Sequence, residues 1–185
     1  AEAAEAAARG ECTDAMAVDA ARAAGRAFAA ASSSIWYEAS QAIDGREGTR
    51  WASPTPPAAA DGGPLRGDPW RAWAREHGWW AVDLRTAHAL RGVELLWEEA
   101  YASEFAIDVS ADGAHWYQLS THRLHAPGWV PIAVRPRSDG SAVVAQFVRV
   151  RGIERGSRYG FSLREVQVRG CPALPAPRPV PQVLA

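Results

Sequence analysis

Four clusters of side chains hold most of the chemistry available to this chain. The first is Ala42-Ile43-Asp44-Gly45-Arg46-Glu47-Gly48-Thr49-Arg50-Trp51, an Asp-Gly turn followed by a Thr. A tight loop of this kind can curl carbonyl, hydroxyl and carboxylate oxygens around a hard cation, and calcium takes about six to eight of them. One loop carboxylate is too few, so a second must arrive from another segment; otherwise the stretch is a plain Asx turn. Glu165, near a strand end in Arg155-Gly156-Ser157-Arg158-Tyr159-Gly160-Phe161-Ser162-Leu163-Arg164-Glu165-Val166, can supply it, or can be a surface strand residue. The third cluster, Trp97-Glu98-Glu99-Ala100-Tyr101, flanks two carboxylates with aromatic rings. Rings stack on the C–H faces of sugars, while carboxylates and Arg take hydroxyls. The plainer role puts Trp97 in a core and the two Glu in water. The fourth is an aromatic set, Trp70, Trp73, Trp79 and Trp129, with Arg71 and His77. Trp70 and Trp73 lie three apart and can share one face of a helical turn, as a binding surface or as a lid on the fold.

Catalysis finds little support in these residues. There is no Gly-x-Ser-x-Gly elbow and no zinc signature. His122 and His125 lack a third ligand in view, and adjacent Glu98 and Glu99 point oppositely on a strand, which is wrong for a facing glycosidase acid pair. The expectation is therefore a binding module and not an enzyme. The 20 basic and 21 acidic residues give a net charge of −1. That balance argues against a nucleic-acid backbone partner and weakens the case for anionic membrane lipid. No apolar run approaches the roughly 20 residues of a membrane span. Every basic residue is Arg and there is no Asn, so no N-glycosylation sequon exists and each single Arg is weaker evidence of function than usual. Nine Trp against four Tyr and four Phe make Trp the informative type, since it sits mainly in cores and binding faces.

The elements that must position these residues read mainly as strands. Trp79 to Arg85 alternates Trp80, Val82 and Leu84 against Trp79, Ala81 and Asp83. Leu90 to Glu98 is a second apolar run. Phe105, Ile107 and Val109 alternate with polar or small residues up to the hairpin signal Ser110-Ala111-Asp112-Gly113. Trp116 to Leu119, Phe147 to Arg151 and Leu163 to Arg169 continue the pattern. Many short strands separated by turns argue an all-β antiparallel sandwich with a short N-terminal helical segment. Helix is expected at Ala1 to Arg9 and from Asp14 to Ala30. Residues 53–78 read as a long inserted loop with one helical turn around Trp70 to Glu76. Residues 1–11 read as an Ala-rich extension, 12–171 as the domain, and the Pro-rich 172–185 as a linker or tail. Cys12 and Cys171 stand at the two margins of the domain. Bridged, they would constrain the unfolded chain by about 5 kcal/mol and imply an oxidising compartment; unbridged, they are two buried thiols. The chain opens without a charged-then-apolar leader; the expectation is that one was either removed by processing or left out of this sequence.

The blocks WWAVDL, LLWEEAYASEFAIDVSADGAHWYQL and FVRVRGIERGSRYGFSLREVQVRGC together resemble the discoidin, or factor V/VIII type C, domain, and are most similar to carbohydrate-binding module family 32. The resemblance spans Cys12 to Cys171 and implies an eight-stranded jelly-roll, galactose-binding-domain-like sandwich. It implies a structural calcium held by Ala42, Asp44, Arg46, Thr49 and Glu165, with Arg46 able to offer only a carbonyl where relatives often have Asp or Asn. It implies a Cys12–Cys171 bridge. The resemblance puts ligand loops at one rim without fixing the ligand; the expectation here is a glycan or glycoprotein, with Trp97, Glu98, Tyr101, Arg155 and Tyr159 as the sugar face and Trp70 and Trp73 as additions. The module would be secreted or on a cell surface, within a larger adhesion or extracellular protein. The competing reading is a structural or adhesion module docking a protein partner through its Trp-rich loop. The two differ in where 53–78 lies: packed over the rim it would bury Trp97 and Tyr101 and shut sugar out.

Overall fold

The computed structural model describes residues 12–14, 17–30 and 36–173. The expected helix at Ala1 to Arg9 and the Pro-rich tail beyond residue 173 lie outside the described residues. The elements are β1 (Val18–Asp19), α1 (Ala20–Ala24), β2 (Ala27–Ala29), a 3-10 turn (Ala39–Ala42), β3 (Trp51–Ala52), α2 (Gly67–His77), β4 (Trp79–Trp97), β5 (Ala102–Ser110), β6 (Tyr117–Arg123), β7 (Gly128–Ala133), β8 (Val144–Arg155) and β9 (Ser162–Pro172). Every strand pairing is antiparallel, and the mostly-β jelly-roll sandwich matches the fold expected from the sequence.

The two layers share one strand. Trp79 to Asp83 of β4 pairs with β8 and β2, while Gly92 to Trp97 pairs with β9 and β7. Between them the register breaks and Arg85 takes a left-handed φ of 68°. That conformation is costly for an L residue. Here Asp83 accepts the Arg85 amide at 2.8 Å, and the Arg85 Nε donates to the Ala24 carbonyl at 2.7 Å, which hold the bend. The core between the layers is filled by Trp80, Val82, Leu84, Phe105, Ile107, Val148 and Val150 from one layer and by Val93, Leu95, Trp97, Leu163 and Val168 from the other.

Two local expectations are corrected. The expected helix from Asp14 to Ala30 is only the five-residue α1, capped by the Asp19 carboxylate and closed by Gly25, with strand pairing on both sides. Tertiary pairing overrides the helical propensity of the Ala run. Conversely, the single helical turn expected around Trp70 to Glu76 within the long loop is longer than that, the eleven-residue α2. Pro69 does not break it, because Pro in the first turn removes an amide that has no partner within the helix anyway. Trp70, Trp73 and Ala74 fall on one stripe and are buried, while Arg71 and Arg75 stay in water.

Candidate functional site

At one end of the sandwich, β3, the turn after β4 and the stretch leading into β9 enclose a hollow of about 390 Å3. Its floor is a backbone lattice. Ser53 donates its amide to the Phe161 carbonyl at 2.8 Å, and Phe161 returns its amide to the Ser53 hydroxyl at 2.9 Å. The Ser162 amide donates to the Ala100 carbonyl at 2.8 Å, and the Glu98 amide to the Ser162 carbonyl at 3.1 Å. Ser162 also donates its hydroxyl to the Trp51 carbonyl at 2.9 Å. Gly160 is required by this close approach, since a Cβ there would overlap the Ser53 hydroxyl.

The walls carry the chemistry. Tyr37 lies beneath the Arg50 guanidinium, 4.4 Å from ring centre to Cζ. Glu98, Glu99 and the half-exposed Tyr159 line the same hollow. Glu98 is held in place: it accepts the Ala100 amide at 3.0 Å and faces Arg164 at 4.0 Å. A ring with hydroxyl groups entering here meets carboxylate and guanidinium hydrogen-bonding groups and aromatic edges together.

Of the residues expected at a sugar face, Glu98 and Tyr159 share this hollow. The others do not. Trp97 is 2% exposed and packs on Phe105 at 5.4 Å, so it cannot serve as a stacking platform. Its phase places it with Val93 and Leu95, inside. Trp70 and Trp73 stack on each other at 5.2 Å as the buried face of α2, and Trp70 packs on Phe161 at 5.6 Å. The Trp70 Nε1 donates to the Ile153 carbonyl at 3.0 Å. Arg155 covers the Trp70 ring at 4.2 Å and donates to the Leu65 carbonyl, in a separate hollow with Arg66 and Arg158. Tyr101 is half-buried, its hydroxyl tied to the His125 carbonyl at 3.1 Å. Sequence reasoning missed Tyr37, Arg50 and Ser53. Arg50 sat inside a quoted block, but nothing local linked that block to Glu98.

The five residues expected at a cation site lie at the end of the 3-10 turn (Ala42), on the loop after it and on β9. The Thr49 hydroxyl lies 2.9 and 2.8 Å from the two Asp44 carboxylate oxygens, and 2.8 Å from the Arg46 carbonyl. The Arg46 amide donates to Asp44 at 2.8 Å, so its backbone and not its side chain faces the loop interior. Glu165 crosses from β9 to accept the Gly45 amide at 3.1 Å through Oε2; its Oε1 is buried without a partner, as is the Gln41 Oε1. Burial, with the charges of Asp44 and Asp19 nearby, pushes the Glu165 carboxyl up to about 7. Gly45, at φ 75°, is in contact with Arg22, which stands close enough that a Cβ would lie 2.5 Å from its Cζ. Among the described residues no cluster of three or more His, Cys, Asp or Glu forms a metal site on side chains alone.

Cys12 and Cys171 are joined in a disulfide. Comparison with known proteins adds a lineage. The family model for the F5/8 type C domain matches residues 27–166. Chitosan-binding module 1 from a chitosanase/glucanase of Paenibacillus sp. IK-5 is 30% identical over 80% of this chain and 96% of that one, with a TM-score of 0.60. Chitosan-binding module 2 of the same enzyme, solved with chitotriose, is 25% identical over 80% and 98% with a TM-score of 0.61. The family 32 module of Clostridium perfringens NanJ, solved with galactose, shares the fold at 14% identity over 83% and 98%, with a TM-score of 0.57. No curated protein matches the chain. With the family model spanning most of its length and the sandwich formed as that family requires, the chain belongs to the F5/8 type C, or discoidin, domain family.

Proposed function

We propose that the chain is a non-catalytic glycan-binding module that takes its sugar in the hollow between Tyr37, Arg50, Glu98, Glu99 and Tyr159. The observation that carries this reading is the pairing of carboxylates and aromatic edges on a floor already satisfied by backbone hydrogen bonds. Such a floor is preorganised, so little ordering cost opposes binding. Kinship with chitosan-binding modules makes an amino-sugar oligomer the first ligand to try, because Glu98 and Glu99 can face a protonated amine. The Trp-loop docking alternative loses its main support, since Trp70 and Trp73 are buried in the core. Calorimetric titration with chitotriose and with galactose tests the reading. Glu98→Gln with Glu99→Gln, or Tyr159→Ala, should weaken binding at least tenfold without lowering Tm. A folded protein that binds no sugar across a broad glycan panel overturns it.

The same reading includes a structural calcium held by the Ala42 carbonyl, Asp44, the Arg46 carbonyl, Thr49 and Glu165. The residues fit a hard cation on one specific ground: Glu165 Oε1 is a buried acceptor with no donor. A bound cation would supply that missing charge and lock β9 to the loop. Added calcium is predicted to raise Tm relative to chelator, and Glu165→Gln to abolish the shift. An unchanged shift in that variant removes Glu165 from the site. The disulfide supports an extracytoplasmic setting, where such bonds persist.

A further inference from the structure

The outer face of the β2–β4–β8–β5–β6 layer is unusual for a surface that meets water. Outward positions on an antiparallel sheet are commonly small and polar. Here they carry a chain of rings: Phe28 meets Trp79 at 6.1 Å and Phe147 at 6.5 Å, and Phe147 meets Trp116 at 6.4 Å. Between the rings stand arginines. The register puts Arg149 between Ala81 and Asp108, and Arg151 between Trp79 and Ala106. Trp79, Trp116, Gln118, Asp108 and the two arginines line a hollow of about 340 Å3 on this face.

The charges in this hollow do not cancel. Asp108, 2% exposed, accepts from Arg149 at 2.8 and 3.0 Å and from Arg151 at 2.9 and 3.2 Å. Arg151 also donates to Gln118 at 3.0 Å, and Arg149 lies over the Trp116 ring at 4.3 Å. One carboxylate thus fixes two guanidinium groups, whose Nη1 atoms make no hydrogen bond among the described residues. Arg75 joins the same hollow from the solvent side of α2. Three guanidinium groups face one carboxylate, in a protein whose net charge is −1.

We propose that this hollow is a second binding site, distinct from the rim, for a carboxylate-bearing saccharide of the uronic acid class. The geometry divides the ligand's chemistry. Arg149 and Arg151, held by Asp108, present their Nη1 donors to a carboxylate, and the exposed Arg75 adds a third guanidinium. Trp79 and Trp116 border them with apolar ring surface for the C–H faces of a pyranose. An acidic peptide would use the arginines but not the indoles.

The test uses the full chain with trigalacturonate, cellotriose and triglutamate as probes, followed by indole N–H chemical shifts and calorimetry. Trigalacturonate should bind, weaken with added salt, and move the Trp79 and Trp116 indole signals. Arg75→Glu, on an exposed helical position, should weaken it at least fivefold and Trp116→Ala tenfold, while Glu98→Gln with Glu99→Gln leaves it unchanged. Because Arg149 and Arg151 hold a buried carboxylate, Arg75→Glu carries the decision if their variants unfold. Equal binding of triglutamate overturns the saccharide assignment. Failure of trigalacturonate to bind the folded protein, or shifts confined to the rim, overturns the site while leaving the rim reading standing.

Discussion

Trp97 and Trp116 are one residue type in opposite circumstances. Trp97 is enclosed beside Phe105 with its Nε1 unpartnered, whereas Trp116 is half-buried and donates its Nε1 to the Gly113 carbonyl at 3.1 Å. Trp97→Ala is therefore predicted to cost about 3–5 kcal/mol, read in urea denaturation, with no separate loss of glycan affinity in the fraction that stays folded. The place of Trp97 at the end of the apolar run from Leu90 made a core role one of two readings of the sequence. The adjacent Glu98 and Tyr101 made the same ring look like a sugar platform, and a local pattern could not choose between them. His122 gives a pH prediction at this scale. It stacks on Phe105 at 5.2 Å, and burial holds its pKa below 6.5. Its unfolded form then binds a proton more readily than its folded form, so stability present above pH 6.5 falls as pH drops below it. The Asp112–His115 pair opposes this, because its hydrogen bond raises the His115 pKa. The readout is the difference in Tm between pH 7.5 and 5.5, which His122→Phe should reduce.

At the scale of elements, the sequence signals only one turn of α2, around Trp70 to Glu76, within a segment rich in Gly and Pro, and the helix runs from Gly67 to His77. Its helical signal lies in the buried stripe Trp70, Trp73 and Ala74, spaced three and four apart, and not in its composition. The preceding Gly67 and Pro69 are turn-formers in a loop and tolerable in a first turn, and only the docking of the stripe decides. The Trp70→Phe variant keeps most of the apolar surface and loses the donor to the Ile153 carbonyl. It should cost about 1–3 kcal/mol, seen as a lower urea midpoint, and leave chitotriose affinity unchanged. The strands were easier to read. Strict alternation in β5 and in the first half of β4 specifies which face turns inward. Their bend was not readable, since Arg85 at φ 68° is stabilised by Asp83 and by the Ala24 carbonyl, a contact from far along the chain.

Across the whole molecule, the fold followed from alternation and turn spacing, while the candidate site did not. The rim hollow joins Tyr37, Ser53, Glu98 and Tyr159, residues from four separate stretches that only the tertiary pairing of β3, β4 and β9 brings together. The disulfide is the long-range contact that the sequence did signal, because two Cys at the margins of one domain leave few other partners. Cys12→Ser with Cys171→Ser should lower stability by about 2–5 kcal/mol, measured as a drop in urea midpoint, with the far-UV spectrum retained at low temperature. The bridge has another bearing. Its two Cα atoms are 5.5 Å apart although 159 positions separate them in the chain. Tension applied through segments joined ahead of Cys12 and behind Cys171 would run from one to the other across the S–S bond. The sandwich would hang from that bond as a pendant, bearing none of the load. Only reduction would put its strands in line with the pull, releasing a length on the order of 500 Å.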